Sequence, residues 1–149
     1  MRIALLIVVA ACSQPAALQL DLDAINAHVP EARRFVRHEL LAGGITYAVA
    51  APRDWQPVAP NRLHAPDEDS WLEVRSGLAA RLAIARTAAY YISRAPDHAE
   101  AEASDGEATT FVYTWSVDGA YHACTLRLDA HAAELRHAFI GACRAVAGR

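Results

Sequence analysis

The chain has 149 residues, of which 54% are hydrophobic and 21% are charged, and its formal net charge is −3. This composition excludes a disordered chain and is sufficient for one packed domain. It also excludes the strongly basic character typical of nucleic-acid binding, so no nucleic-acid partner is expected. Three cysteines are present, an odd number that would leave one unpaired in an exported protein.

The first eleven residues have the order of a secretory signal peptide. Arg2 and the amino terminus form a short positive region, Ile3 to Val9 are apolar, and Ala10 and Ala11 are small residues suited to a cleavage site. As a helix the nine residues from Ile3 to Ala11 would extend about 14 Å, which is too short to cross a hydrocarbon layer about 30 Å thick. The alternative is a buried N-terminal strand of a cytosolic protein.

The sequence from Val9 to Cys12, VAAC, resembles the lipobox of bacterial lipoproteins, in which an apolar residue and two small residues precede a cysteine. The resemblance covers only the leader. It implies that residues 1–11 are removed, that Cys12 is acylated, and that the new amino terminus is commonly acylated as well. It also implies that Ser13 directs the protein to the outer membrane, facing the periplasm. Because two or more acyl chains anchor a protein stably, the membrane is the first expected partner.

After the leader, residues 12–20 are expected to form a tether and residues 21–149 a single domain. A helix is predicted between Asp21 and Gly43, with a break at Pro30, because apolar residues recur on one face. Residues 45–52 alternate and predict a strand, whereas residues 52–69 contain four prolines and predict a long loop. The apolar positions of the predicted helix are Ile25, Val29, Ala32, Val36 and Leu40.

A second helix is predicted over residues 70–94, where apolar residues repeat every three or four positions after the candidate N-cap Ser70. Residues 97–108 are acidic and poor in large apolar side chains, so they predict a mobile loop.

Residues 109–128 predict a β-hairpin, because Asp118-Gly119 is a strong two-residue turn signal. With these two residues in the turn, Trp115 faces His122 and Tyr113 faces Cys124 on an apolar face, and the opposite face is mostly polar. A last helix follows Asp129. We therefore expect an α+β fold, a small antiparallel sheet with a C-terminal β-hairpin and helices packed on one face.

No catalytic motif is evident. The chain lacks a nucleophile elbow, a phosphate-binding loop and a paired-cysteine motif, and its histidines lack metal-ligand spacing. His122 is either a base or ligand in a pocket or a histidine at the edge of the core. A buried Cys124 thiol would stay protonated and unreactive. No catalytic residue, cofactor or metal is assigned, and enzymatic activity is not expected.

Two groups of residues are candidates for contact with a partner. Arg33, Arg34 and Arg37 could meet an acidic partner, or could form a solvated helix face. The proline-rich loop could present side chains to a partner, or its tryptophan could fold back over the core. The loop candidates are Arg53, Trp55, Arg62 and His64.

If Cys12 is acylated, the other two cysteines are left as a pair in an oxidising compartment. Cys124 lies on the apolar face of the hairpin, and Cys143 lies on the apolar stripe of the last helix. A disulfide between them is therefore predicted, with two buried free thiols as the alternative.

The resulting functional hypothesis is a lipid-anchored cell-envelope protein whose domain binds an envelope protein or polymer and performs no chemistry. One alternative is a periplasmic carrier of a small apolar or anionic ligand. The other is a hydrolase without a recognisable motif. A deep apolar pocket with convergent polar groups would favour the carrier.

Overall fold

The computed structural model describes residues 20–67, 69–87 and 89–146, so the predicted signal peptide and Cys12 lie outside the described residues. The described helices are α1 (Leu22–Asn26), α2 (Gly77–Arg81) and α3 (Arg136–Ala145), with 3-10 turns at Glu31–Arg33 and Ala133–Leu135. The described strands are β1 (Phe35–Ala42), β2 (Ile45–Pro52), β3 (Gln56–Ala59), β4 (Arg62–His64), β5 (Trp71–Ser76), β6 (Tyr91–Arg94), β7 (His98–Ser104), β8 (Ala108–Val117) and β9 (Ala120–Asp129).

These strands form two antiparallel sheets. Strands β1 and β2 pair with each other, and the rest form a seven-stranded sheet in the order β3-β4-β5-β9-β8-β7-β6. Two antiparallel sheets with a C-terminal helix fit the predicted α+β class. Among the described residues, no helix has the length and apolar character needed to span a membrane.

The predicted N-terminal helix is correct only at its start. Helix α1 follows Asp21, whose side chain accepts a hydrogen bond from the Ala24 N–H at 3.0 Å. The helix ends at Asn26, and the side chain of Asn26 then bonds both the N–H and the C=O of Phe35. Pro30, which lies between them, has no N–H to continue a helix. The helix predicted for the following residues is therefore wrong, and the chain forms β1 instead.

The spacing of Val36 and Leu40 explains this error. Two residues four positions apart share one face of a helix, but they also share one face of a strand. In β1, Leu40 is buried while Arg37 and Glu39 are exposed, which is the alternation of a strand. Strand β2, predicted over residues 45–52, is confirmed, and it pairs with β1 along its whole length.

The helix predicted over residues 70–94 is also wrong for most of its length. Leu72 and Val74 are fully buried in β5 and lie opposite Leu126 and Cys124 of β9. Helix α2 then covers only five residues from Gly77. The long-range pairing with β9 outweighs the local helical spacing, because β5 lies between two strands of the sheet.

Neither predicted loop is a loop throughout. Residues 98–104, expected to be mobile, form β7, in which alanines and glutamates alternate. Glu100 and Glu102 pair with Arg144 and Arg136 of α3, so the acidic side chains are neutralised. Strands β3 and β4 form within the predicted proline-rich loop, and Pro57 is tolerated because β3 is an edge strand.

The predicted hairpin is confirmed in its register. Trp115 lies opposite His122 and Tyr113 opposite Cys124. Asp118 and Gly119 form the turn with φ values of 50° and 78°, as a two-residue hairpin turn of this hand requires. Local turn chemistry and side-chain alternation were therefore sufficient to fix this pairing.

Two apolar clusters pack on the seven-stranded sheet. The larger includes Phe111 and Tyr113 of β8, the β1–β2 hairpin and α3, whereas the smaller joins Val112 and Ala123 to residues 80–84. Because neighbouring side chains of a strand point to opposite faces, the two clusters lie on opposite sides of the sheet. Helices therefore cover both faces, and the expected packing on one face is corrected.

The cysteines of the larger cluster are joined as predicted. Cys124 of β9 and Cys143 of α3 form a disulfide with Cα atoms 5.7 Å apart, and both residues are fully buried. Asp129 begins the segment that leads to α3, accepting a hydrogen bond from the Ala132 N–H at 3.0 Å. Asp129 thus closes the turn that precedes the last helical segment, and the disulfide ties the C-terminal half of α3 to β9.

Reduction of this disulfide should lower the free energy of unfolding by roughly 3 kcal/mol, because a short closed loop no longer restricts the unfolded chain. Urea unfolding with and without a reducing agent measures the difference. A Cys143→Ala variant should show a comparable loss and no further response to reductant. Equal stability of the oxidised and reduced protein would contradict the prediction.

The Trp55→Ala substitution should destabilise the domain by about 3–5 kcal/mol, because the indole is 4% exposed and packs on Phe139 with ring centroids 5.0 Å apart. Val58→Ala is the matched control on the same segment, since Val58 is 55% exposed and such changes usually stay within about 0.5 kcal/mol. Thermal unfolding of the two variants makes the comparison, and equal melting temperatures would exclude a core role for Trp55.

Candidate functional site

The three arginines predicted to meet a partner are each paired within the chain. Arg33 forms an ion pair with Glu134, and Arg34 and Arg37 pair with Glu31 and Glu39 at 3.3 and 3.2 Å. Exposed pairs of this kind contribute little to stability, but they neutralise the local charge. The segment therefore presents alternating charges rather than a basic patch. His38 is occupied as well, since its Nε2 lies 3.2 Å from the Pro52 carbonyl.

The candidates of the proline-rich segment do not form one contact surface. Trp55 is buried in the core, which matches the alternative stated for it. The Arg62 guanidinium lies 4.4 Å from the ring centroid of Trp71 and pairs with the buried Glu73. His64 is half-buried in β4. Arg53 is exposed and makes no ion pair within the described part of the chain.

A cleft of 290 Å³ is lined by Arg33, Trp55, Asp67 and Asp129, among other residues. The carboxylates of Asp67, Asp69 and Asp129 approach within 4.8 Å of one another at this cleft. Oxygen ligands of this type suit hard cations. The sequence did not indicate the cluster, because Asp129 is distant from the other two residues in the chain.

The carboxylate of Asp129 is already engaged in the fold. It accepts hydrogen bonds from the Ser70 hydroxyl at 3.2 Å and from the Ala132 N–H at 3.0 Å. Burial opposes ionisation, but these bonds and the one from His131 outweigh it and hold the pKa of Asp129 below its ordinary value. The geometry of Asp129 is therefore accounted for by its bonds to Ser70 and to the turn at residues 129–132.

An aromatic cluster surrounds the histidine singled out in the hairpin. The Tyr47 hydroxyl and His122 Nδ1 are 2.7 Å apart, and the imidazole stacks on Trp115 with centroids separated by 5.3 Å. Burial lowers the pKa of His122 and raises that of Tyr47, so both groups are neutral at pH 7. Cys124 is oxidised to the disulfide and cannot act as the nucleophile. The cluster is suited to packing or to binding a planar group.

A hairpin-tip pocket of 450 Å³ opens beside this cluster. Its apolar lining includes Leu78 and Tyr121, which are 67% and 39% exposed. The β1–β2 turn packs closely on Ser76 at the edge of this pocket. A glycine is needed at Gly43, because a Cβ there would lie 2.1 Å from the Ser76 hydroxyl oxygen. Arg81 stands over the Tyr121 ring at 5.4 Å.

The largest cavity described is a groove between α1 and α3, with a volume of 570 Å³. We call it the α1–α3 groove. Its floor is made of small and branched apolar side chains, and its rim carries acidic groups and imidazoles. The residues that line it are Asp21, Ala24, Ile25, His28, Val29, Glu134, Leu135, His137, Ala138, Gly141 and Ala145.

The two acidic groups at this rim have hydrogen-bond or ion-pair partners in the described part of the chain, whereas the two imidazoles do not. Asp21 caps α1, and Glu134 pairs with Arg33. His28 and His137 are exposed and make no side-chain hydrogen bond or ion pair with any residue that the structure describes. The groove therefore combines an apolar floor with two imidazoles that have hydrogen-bonding capacity to offer a ligand.

Sequence reasoning missed this groove because α1 and α3 lie at opposite ends of the chain. The available signal was the spacing of small residues, Ala138, Gly141 and Ala145, on one side of the last helix. That spacing is typical of a helix face on which another element packs closely, but it does not identify that element. No protein-family model matches the chain, and no curated protein matches it at a significant level.

Proposed function

We propose that the chain is an exported lipoprotein, anchored in a bacterial membrane by acyl chains on Cys12, whose domain binds a ligand or partner and performs no chemistry. The observation that carries the proposal is the Cys124–Cys143 disulfide. Of three cysteines in the chain, the disulfide uses two and leaves only Cys12, which stands in the lipobox-like sequence VAAC. A buried structural disulfide is also typical of an oxidising compartment.

The tether fits this anchoring. Leu20 is half-buried against the main core, so the chain is part of the folded domain at this position. Leu20 lies eight positions after Cys12, and an extended chain of eight steps reaches at most about 29 Å. The domain would therefore stay close to the bilayer surface, and Ser13 favours the outer membrane on its periplasmic side.

A binding role is supported by the chemistry of the α1–α3 groove. Small-molecule sites are commonly concave and apolar, with a few polar groups that orient the ligand. The groove has this composition, with His28 and His137 as the unengaged polar groups. This observation favours the second candidate function, a carrier of a small apolar or anionic ligand. An envelope protein or polymer could instead contact the hairpin-tip pocket, where Leu78 is largely exposed.

Anchoring is tested by the position of the protein after cell fractionation. Cys12→Ser should move the protein out of the membrane fraction, because the acylated thiol is lost, while Ser13→Asp should keep it membrane-bound but shift it from the outer to the inner membrane. Cys143→Ala is the control, since it removes a cysteine from the core without touching the anchor. Retention of Cys12→Ser in the outer membrane would contradict the proposal.

A further inference from the structure

We propose that the α1–α3 groove binds a single-chain fatty acid, with its hydrocarbon chain on the apolar floor and its carboxylate between His28 and His137. The inference rests on the proposed binding function of the domain and names the ligand class of its groove. It does not depend on the acylation of Cys12.

The size and floor of the groove suit one hydrocarbon chain. Its volume of 570 Å³ lies within the range of about 300–1,000 Å³ that is usual for small-molecule sites. Leu135 and Ala145 both line it, so it follows the length of α3, about 15 Å at the rise of an α-helix. Ile25 and Val29 form the opposite wall. An elongated apolar trough matches a linear chain better than a compact ring system.

Open space continues above the middle of the floor. A Cβ built on Gly141 meets no heavy atom of a neighbouring residue within 4 Å. The absence of a side chain at Gly141 thus leaves a gap in the wall of the groove. No neighbouring residue lies close enough to require a glycine at this position. A larger side chain at this position would project into the space that the ligand would use and would not displace the packed core.

Charge at the rim selects the head group. The carboxylates of Asp21 and Glu134 would repel an anion, but Asp21 is bonded to the Ala24 N–H and Glu134 is paired with Arg33. His28 and His137 are the remaining titratable groups that line the groove. An imidazole N–H donates a hydrogen bond to an ionised carboxylate, and such a charge-assisted bond is stronger than a bond between neutral groups. The rim therefore favours an anionic head group over a neutral or cationic one.

The acid and the alcohol of equal length should differ in affinity. A fatty alcohol lacks the ionised carboxylate, so its hydrogen bonds to the imidazoles are weaker, and the groove should bind it less tightly than the acid.

The test uses the full chain in native membranes and a photoactivatable dodecanoate as the probe, with labelled peptides identified by mass spectrometry. We expect labelling in α1 and α3 that is displaced by dodecanoate better than by dodecanol. Gly141→Leu should reduce this labelling at least about tenfold, the change expected when an apolar site is filled. Ala24→Trp fills the groove from the α1 side and should reduce labelling as well. Because this substitution lies outside α3, it separates filling of the groove from a folding defect in α3. Ala120→Leu at the hairpin-tip pocket is the matched control and should leave labelling unchanged.

Combined His28→Ala and His137→Ala substitutions should lower labelling by the acid probe about tenfold, because both imidazole donors are lost, and should affect an alcohol probe less. Labelling that is equal for acid and alcohol, or that survives both groove-filling variants, would overturn the inference. Labelling that appears only in Cys12→Ser protein would also overturn the inference. In that case an acyl chain of Cys12 would occupy the groove of the unsubstituted protein. Intact mass of the same samples reports acylation separately, so failure of anchoring and failure of fatty acid binding are distinguishable.

Discussion

The disulfide between Cys124 and Cys143 is the constraint on which the rest of the molecule depends. It joins β9, at the centre of the seven-stranded sheet, to α3, whose residues complete the core and form one wall of the largest groove. Phe139, on the same helix, packs on both Phe35 and Trp55, with centroids 4.7 and 5.0 Å away. The helix thus connects the sheet, the β1–β2 hairpin and the segment before β3 in one apolar cluster.

Charge pairing holds the outer side of the same helix. Arg144 makes two hydrogen bonds to Glu100, at 2.9 and 2.8 Å, and Arg136 pairs with Glu102. Such fork-like pairs fix orientation as well as distance. They also explain why an acidic segment with few large apolar residues is an ordered strand: its glutamates face the arginines of α3 and do not repel one another in solvent.

Elements with a local cause could be predicted from the sequence. The turn chemistry of Asp118-Gly119 and the alternation on either side set the hairpin register, and the register placed Cys124 on the core side. The two helices predicted from periodicity failed for a different reason. The spacing of Val36 and Leu40 is compatible with a strand as well as a helix, and in both segments the partner strand that decides the structure, β2 or β9, lies elsewhere in the chain.

The candidate site was even less accessible to sequence reasoning. Its groove exists only because α1, at the start of the domain, packs beside α3 at its end, and no local pattern encodes that approach. The exposed arginines were visible in the sequence, but their glutamate partners were not assigned to them. The disulfide pairing, by contrast, could be predicted from the sequence, because Cys124 and Cys143 each lie on the apolar face of a predicted element.

The central claim is that the three cysteines divide into a structural pair and an anchor. Intact-mass analysis of protein extracted from membranes, denatured and alkylated without reduction, tests it most directly. The account predicts a chain that lacks residues 1–11, carries acyl groups on Cys12 and takes up no alkylating reagent. A chain that retains Met1 and takes up reagent on all three cysteines would contradict it.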